Sequence, residues 1–238
     1  MTKWVPDNTK RFRRRPHFEP AEIDKECEAL VAEFLKRHRG KVEYPLDTND
    51  LIILIEEHVG NLDVYADLSD EGTNVEGVTR FKIGERPDIE IAEILTSEDR
   101  RANRYRTTLA HELGHARLHD PLFQRAFAAG DLFGGRREEK IVCKRETMLE
   151  APLADWMEWQ AGYASGAYLM PRRALASELR LILDASSKMP PFHVDDDVAA
   201  RLIPVVIDRF GVSREAAIVR LLKLNYLTRA EPVPTLFG

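Results

Sequence analysis

The sequence has few cysteines and no long apolar run, and both absences limit the class of protein. Only two of its 238 residues are cysteine, Cys27 and Cys143, and they lie far apart. Two distant cysteines do not form the disulfide framework of a small secreted protein, and they favour a reducing, cytoplasmic location. Because no apolar run approaches the roughly 18 residues of a membrane-spanning helix, we expect no contact with a membrane.

An overall excess of positive charge is also missing. Lysine and arginine number 35 against 40 aspartates and glutamates, and the net charge is −5, so composition gives no signal for nucleic-acid binding. Residues 1–16 lack the apolar segment of a secretory signal but carry six cations. They predict either a basic arm for an acidic partner or nucleic acid, or a solvated tail that packs locally, and the acidic remainder favours the tail. These cations are Lys3, Lys10, Arg11, Arg13, Arg14 and Arg15.

The hydrophobic pattern predicts an α+β fold. Apolar residues recur at helical spacing in residues 21–39, and again after a cap at Asp47 or Asn49. The spacing then changes to that of strands, which predicts a small three-stranded sheet just before the helical half of the chain. The predicted strands cover residues 62–67, 78–83 and 89–94.

The five residues from His111 to His115 read His-Glu-x-x-His, which is typical of a zinc hydrolase helix. Residues four apart lie on one helix face, so both imidazoles can bind one metal ion. Glu112 lies beside the first ligand, where a carboxylate can act as general base on a metal-bound water. An ordinary amphipathic helix that carries two histidines is the competing interpretation.

The motif helix has its own predicted limits. We expect it to begin with Thr107 or Thr108 as N-cap and to end after Pro121. Gly114 inside a helix costs about 1 kcal/mol relative to alanine, which indicates close backbone approach on that side. His119 lies one turn beyond the second histidine and could compete as a ligand, but a better third ligand exists downstream.

A zinc site that keeps one position open for water needs three protein ligands. We predict Glu158 as the third, within a helical segment at 155–164 whose small residues allow close packing on the motif helix. A solvated glutamate on that helix is the alternative. The group that stabilises the transition state is not identified by any pattern, and Tyr163, His119 and Tyr168 are weak candidates for it or for supporting a ligand.

Three further features have open interpretations. Cys143 could be a metal ligand, a redox sensor or a small buried residue, and its neighbours Ile141 and Val142 favour burial. Residues 123–140 are predicted as a loop with partial helix that could form a lid, and residues 140–143 fit a short strand. The arginines before the motif helix fit either a solvated face or contacts to substrate or core carboxylates. They are Arg100, Arg101, Arg104 and Arg106.

Taken together, the segments at 107–115, 158–164 and 169–171 resemble the ImmA/IrrE family of zinc metallopeptidases, over roughly residues 45–175. The resemblance implies a cytoplasmic, gluzincin-like endopeptidase. By this resemblance Zn²⁺ is bound by His111, His115 and Glu158, and Glu112 is the catalytic base. Characterised members act on helix-turn-helix repressors in stress or mobile-element control, so the resemblance implies a repressor-like protein substrate and a role in transcription regulation.

One position departs from the family pattern. The family usually has asparagine, and related gluzincins aspartate, where this chain has Gly162. That side chain often supports a ligand, and losing such support typically costs about 10–100-fold in metal affinity or activity. Either Ser165 or Asp155 replaces it, or the site is weaker. A zinc-binding regulator without peptidase activity is therefore the alternative function.

The C-terminal part is predicted to be helical. A Gly211–Ser213 turn between two helices has the shape of a DNA-reading motif and equally that of an ordinary helical hairpin. The second of these helices carries Arg214, Arg220 and Lys223, which are too few cations to favour nucleic-acid binding. The predicted organisation is a basic N-terminal arm at 1–18, a metallopeptidase domain at 19–175 and a C-terminal helical region at 176–238.

Overall fold

The computed structural model describes residues 3–130, 137–145, 148–149, 151–152 and 154–230, and it has the predicted α+β architecture. The helices are α1 Pro20–Arg39, α2 Thr48–Glu56, α3 Ala102–Ala129, α4 Trp156–Leu169, α5 Arg172–Asp184, α6 Asp197–Phe210 and α7 Arg214–Lys223. The strands are β1 Lys3–Pro6, β2 Arg14–His17, β3 Asn61–Ala66, β4 Val75–Lys82, β5 Asp88–Ala92, β6 Glu138–Lys144, β7 Phe192–His193 and β8 Leu227–Thr228.

The central sheet has four strands in the order β3-β5-β4-β6, so the prediction of three strands was wrong. β3 and β5 are parallel, and β4 is antiparallel to both β5 and β6. The fourth strand, β6, comes after α3 in the chain and has only Ile141 and Cys143 as buried residues. Its extended conformation is stabilised by hydrogen bonds to β4. The short strand predicted at 140–143 lies within β6, but its pairing with β4 could not be predicted from any local pattern in the sequence.

The sheet packs on α3, and the main core lies between them and the remaining helices. Ile89 and Ile91 of β5 belong to the same buried cluster as Leu109 and Leu113 of α3. Because α3 carries the His-Glu-x-x-His motif, this packing places the motif directly beside the sheet.

α3 begins five residues before the first predicted cap, at Ala102. Thr107 and Thr108 are not caps: their hydroxyls donate to the carbonyls of Asn103 and Arg104 at 2.8 and 3.0 Å. This back-bonding is common for threonine inside helices, so the local preference for a cap was overridden.

α3 also continues through Pro121 to Ala129, although a proline inside a helix costs about 3 kcal/mol. Beyond the proline, Phe123 and Phe127 are buried, and Phe123 stacks on Phe81 of β4 at 4.1 Å between ring centroids. Burial of these two rings offsets the cost of the proline, because each fully buried aromatic side chain contributes about 1.5–3 kcal/mol. The predicted loop is therefore helical in its first part, and its segment at 131–136 lies outside the described residues.

α3 and α4 approach each other closely at Gly114, as the sequence predicted. A Cβ atom at this position would lie 3.0 Å from Ala161 Cα and 3.1 Å from its carbonyl oxygen. A larger residue at this position would push α3 and α4 apart by a few tenths of an ångström. The carboxylate of Asp155 caps the start of α4 by accepting from the backbone N–H of Glu158 at 3.4 Å.

The described residues before α1 form a hairpin of β1 and β2 that packs on the core. Phe12, in its connecting loop, is buried against Phe123 and Trp156, with ring centroids 5.4 and 6.4 Å apart. Asp7 accepts from the Trp156 indole N–H at 3.2 Å. The segment is therefore docked on α3 and α4 and is not a solvated tail.

The four arginines before the motif pair with groups of the protein. Arg104 forms an ion pair with buried Glu76, and Arg106 donates to the backbone carbonyls of Leu46 and Gly211. Both Arg100 and Arg101 pair with Glu98. The ion pairs of Arg100, Arg101 and Arg104 support the interpretation of structural contacts. The contacts of Arg106 hold the start of α2 and the end of α6 against α3.

The C-terminal helices pack on the same core. Arg220 of α7 is 1% exposed, and its guanidinium donates to Asp24 of α1 at 2.6 Å and to the Met170 carbonyl at 3.1 Å. Ser213, at the end of the predicted turn, caps α7 by accepting from the Ala216 N–H at 3.1 Å. None of the helices in the described ranges combines the length and apolar character needed to cross a bilayer. The predicted domain boundaries stay predictions.

Candidate metal centre

Two histidine side chains converge at the crossing of α3 and α4. His111 and His115 are one helical turn apart on α3, both are 0% exposed, and their Nε2 atoms lie 3.0 Å apart. The i and i+4 spacing places both rings on the face of α3 that meets α4. Two imidazole nitrogens therefore point at one small volume.

Glu158 enters that volume from the first turn of α4. Its Oε2 lies 3.2 Å from His111 Nε2, and its Oε1 lies 3.1 Å from His115 Nε2. The side chain is buried, with 5% of the residue exposed. The structure thus brings together the three residues that the sequence predicted as ligands.

The spacing and chemistry of this triad fit a metal ion. Ligands about 2.0–2.1 Å from a tetrahedral ion are separated by about 3.3 Å, close to the three distances given above. A buried carboxylate is costly unless a cation neutralises it. We therefore conclude that His111, His115 and Glu158 form a candidate site for one metal ion.

The electrostatics of the triad keep the carboxylate ionised. Burial raises the pKa of Glu158, but the charges and hydrogen bonds of the His115 and His111 imidazoles together outweigh it, and the pKa falls well below its usual range. Burial lowers the pKa of His115, but the Glu158 carboxylate opposes it and the pKa is raised overall. An ionised carboxylate beside two imidazoles is the state that a cation would bind.

Glu112 is 0% exposed and lies between α3 and the sheet. Burial raises the pKa of its carboxyl group, and the imidazoles of His115 and His111 offset this only in part. Its Oε2 accepts from the Thr79 hydroxyl of β4 at 2.6 Å. Its Oε1 has no hydrogen-bond partner among the residues that the structure describes. One oxygen is therefore held in place while the other is available.

β4 passes so close to Glu112 that only glycine fits at position 77. A Cβ atom on Gly77 would overlap the Glu112 carboxylate. The sequence analysis missed both Gly77 and Thr79, because no local spacing indicates which strand residues face a helix. The predicted strand at 78–83 began one residue too late to include the glycine.

His119 lies behind the triad. Its Nδ1 is 3.0 Å from His115 Nδ1, and its Nε2 is 3.1 Å from Gln160 Oε1. Burial and the neighbouring His115 hold the pKa of His119 well below its usual range, so the ring stays neutral. It therefore contacts the outer nitrogen of His115 and is not among the three groups that converge on the candidate metal position.

The two tyrosines considered for the transition state lie elsewhere. Tyr163 donates to Asp24 of α1 at 2.9 Å, and burial raises its pKa to about 12. Tyr168 is 1% exposed and lies beside Cys27, also of α1. Both side chains point to the side of α4 that packs on α1.

At Gly162 the backbone carbonyl of Met148 occupies the space where the family pattern has a side chain. A Cβ atom there would lie 2.7 Å from the Met148 carbonyl oxygen. Neither suggested substitute supports a ligand ring, since Ser165 donates to the Thr107 carbonyl at 3.2 Å and Asp155 caps α4.

Cys143 of β6 is buried beside Glu112, as the interpretation of a small buried residue predicted. Its Sγ also lies within 4.8 Å of a possible ligand atom of His111 and of Glu112, which makes these three residues a second cluster that could hold an ion. However, burial and the Glu112 carboxylate raise the pKa of the thiol well above its usual value. Since thiolates, and not thiols, bind metals, the cluster with Glu158 is the better site.

A cleft of about 290 Å³ opens onto Glu158 between β6, the start of α4 and Arg11 of the hairpin. β6 forms the outer edge of the described sheet on this side. A larger cavity of about 490 Å³ lies between the hairpin and the end of α3, and no member of the triad lines it.

The model of a family described as IrrE N-terminal-like domain (Peptidase_M78) matches residues 72–222, which is more than half of the chain. These residues include the triad, Glu112 and the Thr79 and Gly77 positions on β4. A search of curated proteins finds no match.

Proposed function

The chain belongs to the IrrE N-terminal-like family of metallopeptidases, and we propose that it is a zinc-dependent endopeptidase that cleaves a regulatory protein. The observation that carries this proposal is the convergence of His111, His115 and Glu158, with the carboxylate of Glu112 beside them. The family match and the candidate metal site identify a metallopeptidase. The identity of the metal as zinc and the regulatory protein as substrate are our proposals.

Two imidazoles and one carboxylate are a common ligand set of catalytic zinc, which leaves a fourth position open. Zinc bound there would supply a Lewis acid and lower the pKa of a bound water to about 7. The same ligand set supports the gluzincin-like fold that we propose for the core around α3 and α4.

Glu112 would transfer the proton in this reaction. Thr79 holds Oε2 at 2.6 Å, and Oε1, which lies against Gly77, has no hydrogen-bond partner among the described residues, so it would be the oxygen that accepts the proton of the attacking water. The raised pKa of the buried carboxyl suits a group that accepts a proton and then releases it to the leaving amine. Gly77 leaves the space that this carboxylate occupies.

We propose that the substrate binds as an extended strand along β6, the outermost strand of the sheet within the described residues. The cleft between β6 and α4 leads to Glu158, and edge strands bind extended peptides through main-chain hydrogen bonds. Arg11 reaches the Lys140 carbonyl at 3.5 Å and so lies at one end of this edge. A segment of several residues would therefore have to be unfolded before cleavage.

The proposed substrate is a helix-turn-helix repressor, and the proposed role is transcription control in stress or in a mobile element. Support comes from the resemblance to ImmA/IrrE peptidases. A cytoplasmic location is supported by the two buried free cysteines, Cys27 and Cys143.

Glu112→Gln tests the mechanism. Each repressor encoded beside this gene would be mixed with zinc-loaded wild-type protein or with the variant, and cleavage would be followed by mass spectrometry. We expect Glu112→Gln to retain zinc and to lose cleavage by about 10²–10⁴-fold, because the general base is absent. A variant that still cleaves at the wild-type rate would overturn the role of Glu112.

Gly162 supports one competing function, a zinc-binding regulator without peptidase activity. Under that alternative, Glu112→Gln would leave regulation in cells unchanged. DNA binding is less favoured, because Arg220 of α7 is buried against Asp24. Titration with duplex DNA at two salt concentrations would test it, since phosphate contacts give a steep salt dependence.

A further inference from the structure

A chain of buried hydrogen bonds connects His115 to the N-terminal hairpin. His115 Nδ1 lies 3.0 Å from His119 Nδ1, and His119 Nε2 lies 3.1 Å from Gln160 Oε1. The side-chain amide of Gln160 then donates to the Pro16 carbonyl of β2 at 3.4 Å. His115 and His119 are 0% exposed and Gln160 is 2% exposed, so water does not compete for these bonds.

The donor and the acceptor in each of these hydrogen bonds can be assigned by starting from the Pro16 carbonyl. The Pro16 carbonyl can only accept, so the Gln160 nitrogen faces it and the Gln160 oxygen faces His119. That oxygen also can only accept, so His119 carries its proton on Nε2 and presents an unprotonated Nδ1 to His115. His115 therefore carries its proton on Nδ1, and its Nε2 lone pair faces the candidate metal position.

The hairpin also holds the ring of His119 through Trp156. The Trp156 ring meets His119 edge-on, with centroids 5.6 Å apart. On the hairpin side, Asp7 accepts from its indole N–H at 3.2 Å, and the Arg15 guanidinium lies 5.0 Å above its ring. The same hairpin thus supports His119 through a ring contact and through a hydrogen-bond chain.

We propose that the N-terminal hairpin completes the metal site, with Gln160 and His119 as positioning residues that hold His115 in the tautomer that binds metal. The inference rests on the proposed metal site. The hairpin lies outside residues 72–222, which the family model matches, so this support is an addition to the matched domain. It supports His115 and not His111, whose ring lies nearest to position 162 and whose Nδ1 has no hydrogen-bond partner among the described residues.

Zinc affinity of the full-length protein tests the positioning residues. We expect His119→Phe and Gln160→Met to weaken zinc binding about 10–100-fold in competition with a chromophoric chelator, the usual effect of losing such a partner. Gln160→Glu keeps an oxygen acceptor for His119 and should lie closer to wild type than Gln160→Met. Gln124→Met is the matched control, since Gln124 is on α3 but bonds to the Lys82 carbonyl.

The hairpin has a test of its own. Asp7 accepts from the Phe12 N–H at 3.0 Å and from Trp156, so Asp7→Ala should open the hairpin, which hydrogen exchange over residues 3–17 reports. We expect zinc affinity to fall in the same direction as in His119→Phe and by less. An opened hairpin with wild-type affinity would overturn its part in the site.

The tautomers of His115 and His119 can also be measured in the wild-type protein, so this test does not depend on the folding of a variant. Nitrogen-15 NMR of the zinc-loaded protein should show His119 protonated on Nε2 and His115 protonated on Nδ1. A His119 protonated on Nδ1, or His119→Phe with wild-type affinity, would overturn this inference and leave the metal site standing. A wild-type protein that binds no zinc would overturn the metal site and this inference with it.

Discussion

Helix α4 carries buried charged clusters on two of its faces, and they differ in kind. On one face Glu158 meets His111 and His115 of α3. On the other face Tyr163 meets the ion pair of Asp24 and Arg220. Both clusters join α4 to other helices, and both are shielded from water.

In the second cluster the carboxylate of Asp24 is paired through both of its oxygens. One Asp24 oxygen accepts from Arg220 at 2.6 Å and the other accepts from the Tyr163 hydroxyl at 2.9 Å. In the first cluster, by contrast, two ring nitrogens and a carboxylate converge on one point, and all three can donate electron pairs to a cation. Matched donors and acceptors indicate a structural role, whereas converging acceptors indicate a ligand site.

The largest expected effect comes from breaking the second cluster, formed by Asp24, Arg220 and Tyr163. Arg220→Met leaves the Asp24 carboxylate buried without its cation, so we expect a loss of about 3–5 kcal/mol in the free energy of unfolding. Denaturant titration would measure it, and the folded variant should still bind zinc as wild type does. Arg209→Met, which removes a partly exposed pair with Glu178, should cost at most about 1 kcal/mol. A similar small loss for Arg220→Met would show that the two clusters do not differ in this way.

A smaller effect on stability, with a larger one on catalysis, is expected at β4. Gly77→Ala places a methyl group where the Glu112 carboxylate lies, at a cost of about 1–3 kcal/mol, or displaces that carboxylate. Cleavage should fall by on the order of 100-fold while zinc stays bound, because the base and not a ligand has moved.

Gly166→Ala on α4 is the control for this variant. Its new methyl group would lie 3.3 Å from Arg220 Cδ and within 4 Å of no described residue of the metal site, so cleavage should stay near wild type. If Gly77→Ala cleaves as fast as this control, the close fit between β4 and Glu112 does not matter for the reaction.

The parts of the site that depend on helix periodicity could be predicted from the sequence. His111 and His115 are four residues apart, and this spacing alone places them on one face of α3. The close approach of α4 was predicted from Gly114, because a glycine inside a helix is unfavourable and indicates close packing on that side. Glu158 needed a second segment, and its context in the family resemblance identified it.

The parts that depend on packing between distant segments could not be predicted. Thr79 and Gly77 face Glu112 only because β4 packs on α3 in one register. Pro121 was expected to end α3, but burial of Phe123 beyond it extends the helix. His119 has the spacing of a ligand, and only the positions of Gln160 and Pro16 show that it lies behind His115.

Zinc titration of wild-type protein and Glu158→Gln tests the central claim most directly. We predict that the wild type binds one zinc ion per chain and that Glu158→Gln binds it more than about 100-fold more weakly, a larger loss than an outer partner produces. The free energy of unfolding of the zinc-free protein should change less than in Arg220→Met. Equal zinc affinity for the two proteins would contradict the account.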